Sequence, residues 1–576
     1  MIALSSLTRY SQRALLSLLG IMMVGCAGQY PPSGGPVDTS PPTIVSTTPK
    51  NDAINVTTKS ISITFNKYVD RRSVEESIFI SPPVGSLEFD WSGKEVTISW
   101  TKPLRQNTTY VVTLGTDIVD TRNRNRLAQA YSFAFSTGEQ IDQASVMGKV
   151  YDVKPAGVMI FCYDLTSRVD KTCNPITEPP DFISQTGNDG SFKLSNLPTG
   201  VFRIFAVRDE YRNLRYDPGI DDIGVPPGDV QIDSATEHIA NLNFLLTKED
   251  TIPPRLLLAS AFDNQHVELR MSEDVDTAHL AQAKITIGDS SGTSLPVISW
   301  FVNPVHPTSI IAITAPQREG MEYKVTLDSI WDRSGLRISS SVRTAMFTGN
   351  GKPDTLRPYL SWSNLSDSAR GVLPHPTVLL SFSNAIEQHL VNDSLRFADS
   401  LGAVVPHRIR WIDGATVDVS PTQMLTPNMR YSITLPADAL RTKTGISANN
   451  GFTRTFFTAP ASSLSYLSGL VQEQGKDGQG SRFIVEATRI EPVPPLTFTT
   501  AASETGAFRI VDILEGRYVL RAYRTSAKST HYAYGTAVPF QPAAPFAVFS
   551  DTIRVRARWP VEGIIITIPF PHGIIP

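Results

Sequence analysis

The stretch GDSSG at residues 288–292 has the G-x-S-x-G spacing that can hold a nucleophilic serine on a turn between a strand and a helix. The residues that follow it, TSLPVISWF, alternate as a strand does, so the helix that this motif requires is not predicted. A second stretch, RFADSLGAVVP, repeats D-S-x-G and carries a proline seven residues after the aspartate, at Pro406 as at Pro296. A repeated D-S-x-G predicts a hairpin turn, and Ser290 is not predicted to be a nucleophile.

Histidine and cysteine chemistry is not indicated either. The nine histidines are scattered, none stands in an H-E-x-x-H motif, and the chain has only three cysteines. This pattern argues against a zinc site. The formal net charge of -3, without a long basic run, argues against a nucleic-acid partner. The residue types therefore predict that the protein is not an enzyme.

Carboxylate and amide side chains are concentrated in the segment RDEYRNLRYDPGIDDIG. They supply the hard oxygen atoms that calcium prefers, although their spacing is not that of an EF-hand loop. A solvated loop, in which Asp and Asn stabilise turns, is the other interpretation. The candidate ligands, for calcium as the one cofactor considered, are Asp209, Asn213, Asp217, Asp221 and Asp222.

Two of the cysteines, Cys162 and Cys173, are eleven positions apart. In an oxidising compartment they could form a disulfide. Sequence spacing does not fix the geometry that a disulfide requires. Two unpaired thiols in or near a strand are therefore an equal alternative.

The third cysteine, Cys26, stands just after the apolar run of residues 14–24, which follows Arg9 and Arg13. Eleven apolar residues are too few to span a bilayer, which needs roughly 20, but they match the apolar part of a signal peptide. Gly25 and Cys26 resemble the lipobox of bacterial lipoproteins, in which a small residue precedes the cysteine. The resemblance implies cleavage before Cys26, acylation of its thiol and its amine, and stable anchoring by several acyl chains. A plain signal peptide with an incidental cysteine, or a buried strand, is the alternative.

Residues 26–40 contain the sequence PPSGGPVDTSPP, which cannot pack a core and predicts a flexible tether. Ala27 and Gly28 follow the cysteine. In the lipoproteins of some bacteria with two membranes, an Asp at this place retains the protein at the inner membrane. The absence of Asp favours the outer membrane, with the periplasmic side and the cell-surface side both left open.

Three segments of about 100 residues repeat one pattern of short strands. Each contains a Y-x-[VI]-T-L strand and a closing strand with a threonine near its end, and apolar and polar residues alternate along both. This pattern predicts an all-β sandwich of two sheets. The opening PPTIVSTTPKNDAINV, the strand end FNKYVD and the final FSTG resemble surface-layer-type bacterial Ig-like domains, which implies spacer or binding units. The tyrosines are Tyr110, Tyr323 and Tyr431, and the threonines are Thr137, Thr348 and Thr458.

Two other segments share a different pattern, in GSFKLSNLPTGVFRIFAV and GAFRIVDILEGRYVLRAY. Both resemble the carboxypeptidase-regulatory or transthyretin-like domain, which is a small seven-stranded sandwich. We expect tight turns with positive φ at Gly190 and Gly506. Phe192, Leu194 and Leu197 are expected to point into the core.

The predicted fold class is all-β, a multidomain chain of Ig-like and transthyretin-like β-sandwiches after a cleaved signal peptide. The linkers are short and polar or contain proline, so we expect a semi-rigid rod of five sandwiches that spans on the order of 150–200 Å. The predicted units are a signal peptide at 1–25, a tether at 26–40, Ig-like domains at 41–139, 251–349 and 354–460, and transthyretin-like domains at 144–247 and 463–569.

The predicted function is that of a non-enzymatic, lipid-anchored cell-envelope protein, whose rod of β-sandwiches acts as a scaffold, spacer or adhesion module. The predicted partners are the membrane, through the N-terminal lipid, and another envelope protein or a surface polymer. A polysaccharide- or peptidoglycan-binding envelope lipoprotein is the alternative, and nothing in the sequence names a ligand.

Overall fold

The computed structural model describes residues 37–474, 482–491, 495–525, 530–569 and 573–575. The regular structure is almost entirely β, which confirms the all-β fold class. The strands form five sandwiches, which we number 1 to 5 in chain order. Within these residues, no helix has the length and apolar content to cross a bilayer. The helices of this described part are the α-helices Arg71–Glu75 and Gln388–Ser394 and the 3₁₀ helices Thr277–Gln282, Ala437–Ala439 and Ala461–Ser463.

Sandwiches 1, 3 and 4 share one topology, in which a four-stranded sheet packs on a second sheet of three or four strands. The strands of sandwich 1 are Ile44–Thr48, Ser60–Phe65, Glu95–Trp100 and Leu87–Ser92 in the first sheet, and Ile78–Ser81, Thr109–Leu114 and Tyr131–Ser136 in the second. Those of sandwich 3 are Leu256–Ala261, His266–Met271, Ser309–Thr314 and Val297–Val302, and then Ser294–Leu295, Lys284–Asp289, Glu322–Asp328 and Thr344–Thr348. Those of sandwich 4 are Leu360–Ser363, Val378–Phe382, Thr416–Pro421 and His407–Trp411, and then Ala369–Val372, Phe452–Thr458, Arg430–Leu435 and Arg396–Asp399.

One repeated tyrosine has the same role in these three sandwiches. Its ring is buried and stacks on a phenylalanine of the neighbouring strand, with ring centroids 5.6, 5.4 and 5.8 Å apart. Its hydroxyl accepts a hydrogen bond from the backbone N–H five residues earlier, at 2.8, 3.0 and 2.8 Å. One side chain therefore fixes both the core and the loop before the strand. These residues are Tyr110, Tyr323 and Tyr431.

The two D-S-x-G stretches are hairpin turns, as the repeat predicted. Asp289 Oδ1 accepts hydrogen bonds from the backbone N–H groups of Ser291 and Thr293, both at 2.9 Å. Asp399 makes the two corresponding bonds in sandwich 4, at 2.9 and 3.0 Å. The aspartate is needed to close the turn, which explains why the motif recurs.

Sandwiches 2 and 5 each pair a larger sheet with a smaller one, whose central strand has one antiparallel and one parallel edge. Gly190 and Gly506 both have a φ of 82°, as predicted, and Phe192, Leu194 and Leu197 are buried in the core of sandwich 2. The strands of sandwich 2 are Phe182–Gln185, Met159–Asp164, Gly200–Arg208, Asp222–Gly224, Asp229–Ile232 and Thr247–Lys248 in the larger sheet, and Ser191–Leu197, Ala144–Tyr151, His238–Ile239 and Phe244–Leu245 in the smaller. Those of sandwich 5 are Leu496–Ala501, Arg482–Glu491, Gly516–Thr525, Phe546–Val548 and Ile553–Val555, and then Ala507–Leu514, Leu464–Glu473 and Val561–Ile568.

Sandwich 5 folds back onto sandwich 2, so the predicted end-to-end rod is wrong. The last strand, Ile574–Ile575, pairs antiparallel with Asp229–Ile232 of sandwich 2. The N–H of Ala543 in sandwich 5 donates to the carbonyl of Pro226 in sandwich 2 at 3.0 Å. Because sandwiches 2 to 5 are also joined in chain order, this contact closes the four of them on one another, and sandwich 1 is attached to sandwich 2.

The larger sheet of sandwich 2 is apolar on both faces, which explains the closure. Ile160 and Cys162 point into the core of sandwich 2. Phe161 and Tyr163, on the opposite face of the same strand, cluster with Ala543 of sandwich 5. An apolar face left open to water would be unfavourable, and sandwich 5 covers it.

Candidate functional site

Of the predicted site residues, Cys26 lies outside the described residues, and its lipidation stays a prediction. Cys162 and Cys173 are free thiols in the structure. Cys162 points into the core of sandwich 2, whereas Cys173 lies with the residues of the opposite face, in the cluster that meets sandwich 5. The disulfide that the sequence left open is not formed. Burial raises the pKa of both thiols, which disfavours the reactive thiolate.

The five candidate calcium ligands form a loop that is held by its own hydrogen bonds. Asp209 Oδ1 accepts from the N–H of Asn213 at 3.1 Å, and Asp221 Oδ2 accepts from the N–H of Asp217 at 2.8 Å. Asp222 pairs with an arginine at 3.1 Å. Burial raises the pKa of the Asp209 and Asp221 carboxyls. In this described loop no three carboxylates bring their oxygen atoms within 4.8 Å of one another, so the structure does not assemble a calcium site from them.

Sandwiches 1 and 2 meet along a cleft of about 600 Å³. Gln185 of sandwich 2 fixes this joint, because its Oε1 accepts from the N–H of Thr116 at 2.6 Å and its Nε2 donates to Asp117 Oδ2 at 3.2 Å. Asp117 on one wall pairs with two arginines, at 3.0 Å from Arg126 and 3.5 Å from Arg212. These contacts hold the two sandwiches together on both walls of the cleft, as expected of a structural joint.

Arg203 of sandwich 2 lies in the contact with sandwich 5. Its side chain is only 7% exposed, and it makes two parallel bonds to Asp229, at 2.7 and 2.8 Å. Its guanidinium carbon is 3.7 Å from the ring centroid of Phe540 in sandwich 5, and that ring meets Phe205 edge-on at 6.2 Å. The carboxylate fixes the plane of the guanidinium, on which the phenylalanine then stacks. The contact therefore combines apolar burial with a directional element.

Sandwiches 3 and 4 are joined around a buried histidine, His266, which is 2% exposed. Its Nδ1 lies 2.8 Å from Asp263 Oδ2 and 3.9 Å from Asp354 Oδ2. Its Nε2 lies 3.1 Å from Asn384 Oδ1 of sandwich 4. Burial alone would lower the pKa of His266, but the hydrogen bond and charge of Asp263, with Asn384 and Asp354, outweigh it and raise the pKa. The protonated ring is therefore favoured, with Nδ1 donating to Asp263 of sandwich 3 and Nε2 donating across the joint to Asn384 of sandwich 4.

We expect the joint between sandwiches 3 and 4 to weaken as the pH rises. Because the folded-state pKa of His266 is above its ordinary value, its stabilisation is fully present below a pH of about 6.5 and is lost as the pH rises through the raised pKa. His266→Gln should therefore flatten the dependence of the thermal unfolding temperature on pH above about 6.5. The exposed His389 provides the control, since His389→Gln should keep the original dependence. Equal dependence in both variants would contradict the assignment.

Two groups of side chains in the described part of the chain bring three ligating atoms within 4.8 Å of one another, as a metal ion requires. One is the His266 group, in which the carboxylates already accept hydrogen bonds; Asp354 Oδ2, for example, accepts from Thr444 Oγ1 at 3.0 Å. A proton on His266 supplies the positive charge that these carboxylates would otherwise take from a metal ion. The sequence missed both groups, because distant segments contribute their members. The second group consists of Asp250, Glu273 and Asp332.

The fold and its joints define a class of protein: a multidomain chain of β-sandwiches that are packed on one another. Residues 38–137 and 354–459, which form sandwiches 1 and 4, match the family model of the bacterial Ig-like domain. This match confirms the predicted resemblance for these two sandwiches. Among curated proteins, none matches the chain significantly.

Solved structures that match the chain include two of the surface-layer protein SbsC. The N-terminal part of the bacterial S-layer protein SbsC is 14% identical, with a TM-score of 0.16, over 36% of this chain and 44% of that chain. Domains 1–6 of the surface layer protein SbsC are 10% identical, with a TM-score of 0.16, over 91% of this chain and 68% of that chain. The L,D-transpeptidase LdtMt1 in complex with imipenem is 13% identical, with a TM-score of 0.15, over 25% of this chain and 74% of that chain.

Proposed function

We propose that the protein is a non-enzymatic, lipid-anchored scaffold of the bacterial cell envelope. The observation that carries the proposal is the closure of four sandwiches on one another, through the contact of sandwich 5 with sandwich 2. A closed body of this kind holds its loops and sheet edges at fixed relative positions, which suits the presentation of an interaction surface. Bacterial Ig-like units in sandwiches 1 and 4 support the same role.

The anchor, the tether and the closed body act in series. The acyl chains on Cys26 hold one end at the outer membrane, and the tether of residues 26–40 lets the sandwiches extend away from the membrane. Sandwich 1 connects the tether to the closed body, and Gln185 fixes the joint between sandwich 1 and sandwich 2. The partner bound by the exposed loops and edges is another envelope protein or a surface polymer.

Replacing Cys26 by serine is expected to move the protein from the membrane fraction to the soluble fraction. Serine preserves the size of the residue but removes the thiol on which the acyl chains depend. Metabolic labelling with an alkyne fatty acid should label the unmodified sequence and not Cys26→Ser. The control is Cys173→Ser, because a buried thiol is not available for acylation. Labelling and membrane retention in Cys26→Ser would contradict the anchor, and protease treatment of intact cells distinguishes the two sides of the membrane.

The interaction role has a separate test. Cross-linking in intact envelopes, followed by purification of the protein, should recover one specific envelope protein or polymer. Recovery of peptidoglycan or another polysaccharide alone would favour a glycan-binding lipoprotein. No specific partner, together with unchanged envelope integrity after deletion of the gene, would contradict the scaffold.

A further inference from the structure

Three carboxylates converge where sandwich 3 meets the segment that follows sandwich 2. Asp250 lies in that segment, Glu273 follows the strand His266–Met271, and Asp332 lies in the loop after the strand Glu322–Asp328. Ligating oxygen atoms of the three side chains all lie within 4.8 Å of one another. Three negative groups in so small a volume repel one another, and the repulsion is relieved by a proton on one of them or by a cation between them.

One oxygen atom of this group has no partner. Asp332 is 2% exposed, and its Oδ1 accepts hydrogen bonds from the N–H groups of Ser334 and Leu336 at 2.8 and 2.9 Å. Its Oδ2 is buried and has no hydrogen-bond partner. In the part of the chain that the structure describes, no lysine or arginine forms an ion pair with the three carboxylates. A buried carboxylate oxygen without a hydrogen-bond partner is unfavourable, and a cation beside it would remove the cost.

The same place in sandwich 1 contains a lysine. In sandwich 1 the N–H of Asn66, just before Lys67, donates at 2.9 Å to the carbonyl of Thr43, five residues after Asp38. In sandwich 3 the N–H of Ser272, just before Glu273, donates at 2.9 Å to the carbonyl of Arg255, five residues after Asp250. Asp120 and Asp332 are equivalent as well. Asp120 forms an isolated β-bridge with the residue two positions after Lys67, and Asp332 forms one with the residue two positions after Glu273. The equivalent groups are Asp38, Lys67 and Asp120 in sandwich 1, and Asp250, Glu273 and Asp332 in sandwich 3.

In sandwich 1 the lysine supplies the positive charge that sandwich 3 lacks. Lys67 Nζ lies 2.7 Å from Asp38 Oδ2. The backbone N–H of Asn123, the side chain of Asn125 and the charge of Lys67 all help to lower the pKa of Asp120. The second oxygen of Asp120 accepts from Asn125 Nδ2 at 2.8 Å. Both carboxylates of sandwich 1 are thus satisfied within the protein.

Sandwich 4 has neutral residues at two of the three positions, so no repulsion between carboxylates arises there. Asn384 and Thr442 stand at the positions of the lysine and the second aspartate, so Asp354 is the one carboxylate of the group. Thr444 Oγ1 donates to that carboxylate at 3.0 Å. Of the three related sandwiches, sandwich 3 is left with three carboxylates and no lysine at this place.

We propose that sandwich 3 binds a divalent cation, Ca²⁺, through Asp250, Glu273 and Asp332. The group offers only hard oxygen ligands, which suit Ca²⁺ or Mg²⁺ and not a soft metal. Asp250 and Glu273 are half-buried, so water can complete the roughly 6–8 ligands of Ca²⁺. Ligands from three separate segments suit the flexible geometry of Ca²⁺ better than the strict octahedron of Mg²⁺. The ion takes the place of the Lys67 ammonium and, through Asp250, stiffens the joint between sandwiches 2 and 3.

Titration of Ca²⁺ into the purified full-length chain, by calorimetry and by thermal unfolding, tests the proposal. We expect Ca²⁺ to raise the unfolding temperature and EDTA to reverse the rise. Glu273→Lys should abolish the response without lowering the unfolding temperature of the ion-free protein, because it installs the ammonium that sandwich 1 uses. Glu322→Lys changes the charge of an exposed residue of the same sandwich by the same amount, and it should keep the full response.

Asp332→Asn provides a second variant, because it removes the charge at the unpartnered oxygen with little change in shape. We expect its affinity for Ca²⁺ to fall by ~10-fold or more. No response of the unmodified protein to Ca²⁺, or an undiminished response in both variants, would overturn the proposal. An equal response to Mg²⁺ would overturn the choice of Ca²⁺.

Discussion

Replacing Gly148 by alanine is expected to destabilise sandwich 2 by about 3 kcal/mol. A Cβ atom at this position would lie 1.8 Å from the carbonyl oxygen of Leu242 and 2.9 Å from the ring of Phe192. The nearest obstacle is backbone, so no change of rotamer relieves it, and the parallel pairing of the central strand has to open. Hydrogen exchange in Ala144–Tyr151 should therefore become faster, and denaturant unfolding should measure the loss in free energy.

Gly469 is the counterpart in sandwich 5, where the added Cβ would lie 1.9 Å from the carbonyl oxygen of Ile564, and Gly469→Ala should have the same effect there. The matched control is Gly288→Ala in sandwich 3, where the nearest atom, the carbonyl oxygen of Thr293, lies at an ordinary 3.5 Å. The control should change the free energy of unfolding by less than about 1 kcal/mol. Equal losses in Gly148→Ala and Gly288→Ala would show that the close approach is not what requires the glycine.

The repeated sandwich could be predicted from the sequence because its determinants are local. The buried tyrosine and the N–H that its hydroxyl binds are five residues apart, in Tyr110 as in Tyr431. The aspartate of each D-S-x-G turn binds N–H groups two and four residues further on. Interactions of this range leave a fixed spacing in the sequence, and alternation along the strands then gives the sandwich.

The contact between sandwiches 2 and 5 is less apparent from the sequence than the repeated sandwich. The strands in VMIFCYDL and VFRIFAV are apolar except for Asp164 and Arg203 and do not alternate, which is typical of strands that are buried on both faces. That pattern indicates that something covers the second face of sandwich 2, but it does not identify the cover. Phe540 and Ala543, which provide it, lie far along the chain. The short linkers predicted a straight rod instead, in which sandwich 5 would not contact sandwich 2.

The sequence predicted the clusters of carboxylates only in part, and for a different reason. Composition drew attention to the acidic loop at Asp209, whose carboxylates bind their own backbone. The strand ends FNKYVD, MSEDVD and FSNAIE, aligned by the repeat, do contain the change from Lys67 to Glu273. The sequence cannot show that this change leaves a buried oxygen without a partner, because the group forms only when three separate segments meet.

Phe540→Ala is expected to detach sandwich 5 from sandwich 2 and to enlarge the protein. The substitution removes the ring that stacks on Arg203 and meets Phe205, at a cost to the contact of about 2–4 kcal/mol. Arg203 cannot turn to fill the gap, because two hydrogen bonds hold it on Asp229. Small-angle scattering should give the unmodified protein a radius of gyration well below the roughly 50 Å of a 150–200 Å rod. The radius of Phe540→Ala should rise toward that value.

Phe457→Ala in sandwich 4 is the matched control, since this ring is also half-buried and lies 4.5 Å from the guanidinium carbon of Arg370. It loses a similar stacking contact within one sandwich and should keep the original radius. Ala543→Asp places a charge in the buried contact itself and should open the chain further than Phe540→Ala. If all three variants scatter alike, this contact does not hold the sandwiches together. An open chain would act as a long spacer, whereas a closed one keeps its loops near sandwich 1 and the tether, so the same measurement separates the two ways in which a scaffold of this kind could work.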